Sequence, residues 1–247
     1  MIKVLHVIPS LDRQSGGPAQ VIWDFIEGSK KQVDYNICTN REGLTTQELN
    51  QLSEKHQIPI HHFDYFGSHS TKLSFSLLLW FLRNYKQFDI VHIHAGFSFT
   101  SEFVGIFCSA LKTPFIYRPL GTLSPYSISA GNSLFKRLFL PLEKMLLRNA
   151  FAVHCTSPEE EKDILQIEPS GNSVIIPPPI IFSDSKVDSF KVNKNQEFKL
   201  GFLSRLHQKK NIEFIIDLLT KLSTAKLIIA GSGEESYLNQ LKELISE

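Results

Sequence analysis

Cysteine is scarce in this chain of 247 residues. Cys38, Cys108 and Cys155 are widely spaced, odd in number and without a C-x-x-C pair, so they form no disulfide framework and point to a reducing compartment. Long hydrophobic runs are also missing. The longest purely apolar run, Leu77 to Leu82, is far below the ~20 residues needed to span a bilayer. The opening MIKVLHVIPS has one basic residue and too short an apolar stretch for a signal peptide. The expectation is a cytoplasmic protein, at most peripheral on a membrane. No excess of one charge exists either. With 26 Lys and Arg against 25 Asp and Glu the net charge is +1, so no global field draws the chain onto nucleic acid.

What is present is ordinary globular material, 42% hydrophobic and 21% charged, enough to bury a core. Short apolar, β-branched runs recur at 3–8, 34–39, 60–63, 89–94, 114–118, 150–156 and 172–177. Helix-period stretches such as GPAQVIWDFIEGSK, TTQELNQLSEKH and SPEEEKDILQI separate them. This alternation predicts βαβ units and a parallel sheet. Ser157, Pro158 and Glu160 predict an N-cap, a first helical position and a capping box. From Pro177 the chain turns rich in Pro, Ser, Asn and Lys, which reads as a linker over 177–197. Strand–helix alternation restarts at 198 and runs through two units to 247. The expected organisation is therefore one complete domain at 1–176 and a partial one at 198–247. Two βα units leave apolar sheet surface and an unpaired edge to be covered.

Several segments could carry chemistry. SGGPAQ, Ser15 to Gln20, follows the first strand and opens a helix. Gly16 and Gly17 allow close backbone approach, and the helix N-terminus offers N–H groups to phosphate oxygens. A plain strand-to-helix turn explains the segment equally well, and it lacks the dinucleotide pattern G-x-G-x-x-G. His92 and His94 lie two apart on one strand, hence on one face. A metal pair there is weakly supported without a carboxylate or Cys nearby, and His94 sits at the strand end where open α/β sheets bind ligands. Arg118 and Gly121 follow another strand; a rigid loop accounts for Gly121 and the prolines but not for an arginine at the carboxyl edge. In GFLSRLHQKKNIEF, Arg205 and Lys210 flank a helix start after a strand. A forked guanidinium and a point ammonium there suit a diphosphate, with a solvated turn as the bland alternative. AGSGEES has Ser236 where a third dinucleotide-loop glycine would stand.

These segments, taken in order, resemble retaining glycosyltransferases of glycosyltransferase family 4, which have the GT-B fold. The resemblance runs through VIPSLDRQSGGPAQVIWDF, DIVHIHAGFS, RPLGTLSPYSI, AFAVHCTSPEEEKDI, LGFLSRLHQKKNIEFIIDLL and LIIAGSGEESYLNQL, over essentially the whole chain. It implies an α/β architecture with an acceptor-side Rossmann-like domain and part of a nucleotide-sugar domain. It implies that Arg205 and Lys210 clamp the donor diphosphate, where negative charge grows as the nucleotide leaves. It implies that Gly16 and Gly17 belong to the loop facing those phosphates and that His94 lies near the transferred sugar. Arg118 and Gly121 become acceptor-side candidates. No metal and no cofactor are implied beyond the nucleotide-sugar substrate, and the acceptor is a glycan or a lipid-linked glycan in polysaccharide biosynthesis.

Departures from the family pattern are specific. Ser204 and Asn211 replace glycines flanking the Arg–Lys element, and IIPPPI stands where Ile-Pro-Asn-Gly is usual. The family's glutamate pair would lie beyond residue 247, so the resemblance implies a C-terminally shortened form. The competing expectation is a binding-only or inactive remnant of such an enzyme. A dinucleotide-dependent Rossmann enzyme ranks below both, because no fingerprint is intact. One helical stretch, 132–150, carries Leu134, Leu138, Leu142 and Met145 on one face and a basic stripe of Arg137, Lys144 and Arg148 on another. Leu140 and Leu147 flank that stripe, which suggests contact with an anionic membrane surface. Pro141 predicts a kink near Arg137.

Overall fold

A computed structural model describes residues 1–12, 17–67, 72–129, 133–180, 198–222 and 225–246. The chain divides into two compact units, Met1–Ser183 and Asp184–Glu247. Most of the expected linker, 181–197, lies outside the described residues.

The first unit alternates strands and helices as the apolar runs predict. In chain order they are β1 (Ile2–Ile8), α1 (Gly17–Ser29), β2 (Val33–Asn40), α2 (Thr46–His56), β3 (Ile60–Phe63), α3 (Phe75–Asn84), β4 (Ile90–His94) and α4 (Phe99–Leu111). They continue with β5 (Phe115–Arg118), α5 (Pro125–Ser129), α6 (Ser133–Asn149), β6 (Ala152–Cys155), α7 (Pro158–Ile167) and β7 (Ser173–Ile175). The strands form one parallel sheet in the order β3-β2-β1-β4-β5-β6-β7. The order reverses between β1 and β4. In open α/β sheets ligands bind outside the carboxyl ends of the strands at such a switch point.

Strand alternation splits the side chains between two faces. Leu5, Val7, Cys38, Val91, Ile93, Phe115, Tyr117, Val153 and Cys155 turn to one face and join Leu77, Phe81, Val104, Cys108, Leu146 and Leu147 in the main core. The close approach of α4 to α6 requires Gly105, where an added Cβ would lie 2.5 Å from a Leu146 methyl. On the other face, Ile8 and Ile37 pack with Ile22, Trp23 and Ile26 of α1 and Leu49 of α2.

The predicted capping box at Ser157 is half formed. Ser157 Oγ accepts from the Glu160 N–H at 3.2 Å, but Glu160 takes the Thr156 N–H at 2.7 Å and the Gly121 N–H at 2.6 Å. Its carboxylate serves the loop after β5 rather than the cap residue. A complete capping box stands instead at Thr45 and Glu48. The face assigned to α6 is also corrected. Leu147 is buried in the core and Leu140 packs against it, whereas Leu134 and Leu138 are 79% and 74% exposed. The helix has turned its neighbouring leucines outward because Glu143, Leu146 and Leu147 share the inward face.

The second unit contains β8 (Phe198–Leu203), α8 (Ile212–Thr220), β9 (Ala225–Ala230) and α9 (Glu235–Ser246). β8 and β9 pair in parallel. Leu206, Ile212, Ile216, Tyr237 and Leu241 form a small core, with Phe202, Leu227 and Ile229 packed on it. The alternate strand residues Leu203 and Ile228 are 86% and 51% exposed. No helix among the described residues is long and apolar enough to cross a membrane.

Candidate functional site

The sheet face opposite the main core is polar where four adjacent strands meet. His6 comes from β1, His92 and His94 from β4, Arg118 from β5 and His154 from β6. Ladder register places His6 beside His92 and His94 beside Arg118. All five residues are buried. His6 Nδ1 and His94 Nε2 are hydrogen-bonded at 2.8 Å, and His154 Nδ1 lies 3.4 Å from His92 Nε2. His154 Nε2 meets the Ile176 carbonyl at 2.8 Å, so that nitrogen carries the proton and Nδ1 is left as an acceptor.

These imidazoles are held neutral. Burial, reinforced by Arg118 and neighbouring histidines, lowers His6 to about 3 and His92 and His94 well below the ordinary histidine value. His154 is lowered as well, chiefly by burial. Arg118 lies over the Phe25 ring of α1 at 5.4 Å, with Nε and Nη1 lacking any hydrogen-bond partner among the described residues. Burial pulls it down to about 10, against the opposing charge of Glu160. His6 Nε2 and His94 Nδ1 are equally unpartnered. Neutral rings of this kind exchange hydrogen bonds with hydroxyl groups without adding charge, while the guanidinium favours an oxyanion.

Ring nitrogens of His6, His92 and His94 lie within 4.8 Å of one another, a spacing that could hold a metal ion. The surroundings fit one poorly. The Arg118 charge acts on all three rings, and no carboxylate is among the groups acting on them.

The loop after His94 is unusual backbone. Ala95 and Phe97 adopt left-handed conformations, with φ of 67° and 56°. Left-handed non-glycine residues cluster where surrounding structure enforces them, often at functional sites. The Ala95 N–H donates to the Arg118 carbonyl at 3.0 Å, joining this loop to the one after β5. Gly121, with φ of 70°, lies in that second loop under Glu160.

Gly16 lies outside the described residues, and Gly17 begins α1. Arg205 and Lys210 are exposed in the second unit. Lys210 ends a 3-10 turn, Gln208–Lys210, and Asn211, with φ of 51°, caps α8 without a side-chain bond. Sequence reading passed over His6, His154, Glu102 and Glu143, and took Glu160 only as a capping-box partner. Register could have found the two histidines, since each sits at the face parity of His92 and His94. Glu143 precedes the buried Leu146 and Leu147 by three and four positions, the spacing of an inward helix face.

The sequence profile of Glycosyltransferase Family 4 matches residues 15–183, more than half of the chain. The chain belongs to Glycosyltransferase Family 4. The match spans the first helix, the His92–His94 strand, the Arg118 loop and His154, while His6 on β1 precedes it. None of the curated proteins matches the sequence. Solved structures match in fold. A point mutant of S. aureus TarM, in complex with fondaparinux, alpha-GlcNAc-glycerol and UDP, is 12% identical with a TM-score of 0.64, over 100% of this chain and 76% of TarM. The UDP-GlcNAc 2-epimerase of Neisseria meningitidis, bound to UDP-GlcNAc, is 16% identical with a TM-score of 0.56, over 99% of this chain and 69% of the epimerase. An E. coli structure described as trehalose-6-phosphate, bound with UDP-2-fluoro glucose, is 10% identical with a TM-score of 0.58, over 98% and 69%. At these identities the likeness establishes a GT-B type α/β fold. Transferases and epimerases share it, and the family match is what separates them here.

Proposed function

We propose that the protein transfers a sugar from a nucleotide-sugar donor to a glycan or lipid-linked acceptor in polysaccharide biosynthesis, with retention of anomeric configuration and without a catalytic metal. Family membership carries the reading, and Arg205 and Lys210 give it a mechanism. Both are exposed cations following β8, with no ion pair or side-chain hydrogen bond among the described residues. They are therefore available to a leaving diphosphate, where charge stabilisation lowers the barrier. The amide groups at the start of α1, near Gly17, offer further phosphate contacts. His94 serves the transferred sugar as a neutral hydrogen-bonding ring, and Arg118 and Gly121 belong to the acceptor side. Isotope-labelled nucleotide sugars offered with a panel of glycan and lipid-linked acceptors test this. Labelled product with the donor's anomeric configuration is expected. Nucleotide-sugar binding without transfer to any acceptor would leave a binding protein instead, and an inverted product would remove the retaining mechanism.

An anionic membrane surface is a further proposed partner. The supporting patch is Leu134 and Leu138 on α6, both largely exposed, with exposed Arg137 and Lys144 on the same helix. Apolar insertion beside cations is the chemistry that interfacial helices use.

A further inference from the structure

Two buried carboxyls and one buried phenol meet behind the loop that follows His94. Glu143 of α6 and Glu102 of α4 are each 0% exposed, as is Tyr117 of β5. Glu143 Oε1 accepts the Phe97 N–H at 2.7 Å, and its Oε2 accepts the Tyr117 O–H at 2.5 Å. Among the described residues neither Glu102 oxygen has an N–H or O–H donor, and Glu143 is the group that acts on them. No lysine, arginine or histidine is among the groups acting on either carboxyl. Two adjacent carboxylates buried without a cation cannot both ionise. Burial raises both carboxyls, but Glu143 accepts two hydrogen bonds that favour its ionised form, so the proton they share belongs to Glu102.

The same carboxylate shapes the loop. Phe97, whose N–H it receives, has a left-handed backbone, and so does Ala95 on the far side of Gly96. Between them no side chain fits. A Cβ added at Gly96 would lie 2.6 Å from Thr122 Oγ1, 3.1 Å from the Tyr117 hydroxyl and 3.2 Å from Glu143 Oε1. The loop is thus pressed against Tyr117, Thr122 and Glu143, and its strained conformation persists because these groups enforce it. Behind it, Ser101 of α4 holds the His94 carbonyl at 2.7 Å.

We infer that Glu143 is a positioning residue, whose carboxylate holds loop 95–98 and thereby the strand end bearing His94, with Glu102 keeping a proton behind it. It touches no reacting atom. Its service to sugar transfer rests on the function proposed above, but the holding of the loop can be tested without any turnover.

The test is hydrogen exchange by mass spectrometry on the full chain, following peptides that cover 95–98. In Glu143→Ala, exchange there should rise about tenfold or more, the loss of one buried hydrogen bond to a charged acceptor. Glu143→Gln keeps an acceptor for the Phe97 N–H and should restore most protection. Leu146→Ala, a core truncation on the same helix, should lower thermal stability without opening 95–98. Should Glu143→Ala not fold, Tyr117→Phe removes one of the two bonds and should open the loop in part. Unchanged protection in the Glu143 or Tyr117 variants, or equal opening in Leu146→Ala, overturns the assignment. A second arm follows the proton. Burial beside Glu143 raises Glu102 to about 9. The folded state then holds a proton that the unfolded chain releases above the ordinary glutamate range, so stability falls as pH rises toward 9. Glu102→Gln mimics the protonated acid and should flatten that decline. An alkaline decline identical to wild type places the proton elsewhere.

Discussion

The two units of this chain bury parallel strands to different degrees. In the first, seven strands lie between helices, and β4 is buried from Val91 to His94. In the second, two strands have exposed residues along their length, Leu203 at 86% and Ile228 at 51% among them. Parallel sheets ordinarily have both faces covered. The lesson concerns where rigidity resides: the first unit can hold neutral histidines and a left-handed loop in place, while the second presents its charged turn on a lightly buried frame.

The largest effect that would test this contrast is a pair of truncations. Phe81→Ala, at a fully buried site in the main core, should cost about 3–5 kcal/mol in urea unfolding. Ile228→Ala, half exposed on the second unit, should cost within about 1 kcal/mol. Equal losses would erase the distinction.

Acid should find the polar face. His6 is lowered to about 3 when folded and His92 and His94 lie well below their ordinary value. Below pH about 6.5 the unfolded chain gains protons that the folded one refuses. Stability conferred by the neutral rings is therefore complete above that pH and is lost as pH falls toward 3. Arg118→Met removes a buried charge whose Nε and Nη1 have no hydrogen-bond partner among the described residues, and should be neutral or stabilising by about 1–4 kcal/mol. It also removes a charge that depresses all four histidines, so the acid loss should become shallower. Thermal melts from pH 4 to 8 on both proteins check this; a steeper acid loss in the variant would contradict it.

The smallest effect lies at the surface. Leu138→Glu on α6 should change stability by less than about 0.5 kcal/mol, yet abolish sedimentation with anionic vesicles. Equal binding by wild type and variant would remove the membrane patch.

Much of the fold was legible beforehand because β-branched runs and helical periods are local signals. The strand at 60–63 was read to the residue, and β1, β2, β4 and β5 to within one or two. Site residues were harder. His92, His94 and Arg118 were visible as polar groups on or at the ends of strands, but His6 lies 88 positions from its partner His94 and His154 lies 62 from His92, and they meet only through strand order. Glu160 looked like a cap because its spacing from Ser157 fits one, and tertiary demand from the Gly121 N–H redirected it. On α6 the leucine pattern was ambiguous because apolar residues occupy nearly every face, and the placement of Glu143 inward decided which leucines reach water.

The central claim is that Arg205 and Lys210 hold a donor diphosphate, and calorimetric titration of the full chain with UDP, GDP and ADP tests it most directly. At least one nucleotide should bind, and Arg205→Ala and Lys210→Ala should each weaken it by about 1.5–3 kcal/mol, the worth of a charge-assisted contact, with little change in melting temperature. Undiminished affinity in both variants would contradict the account.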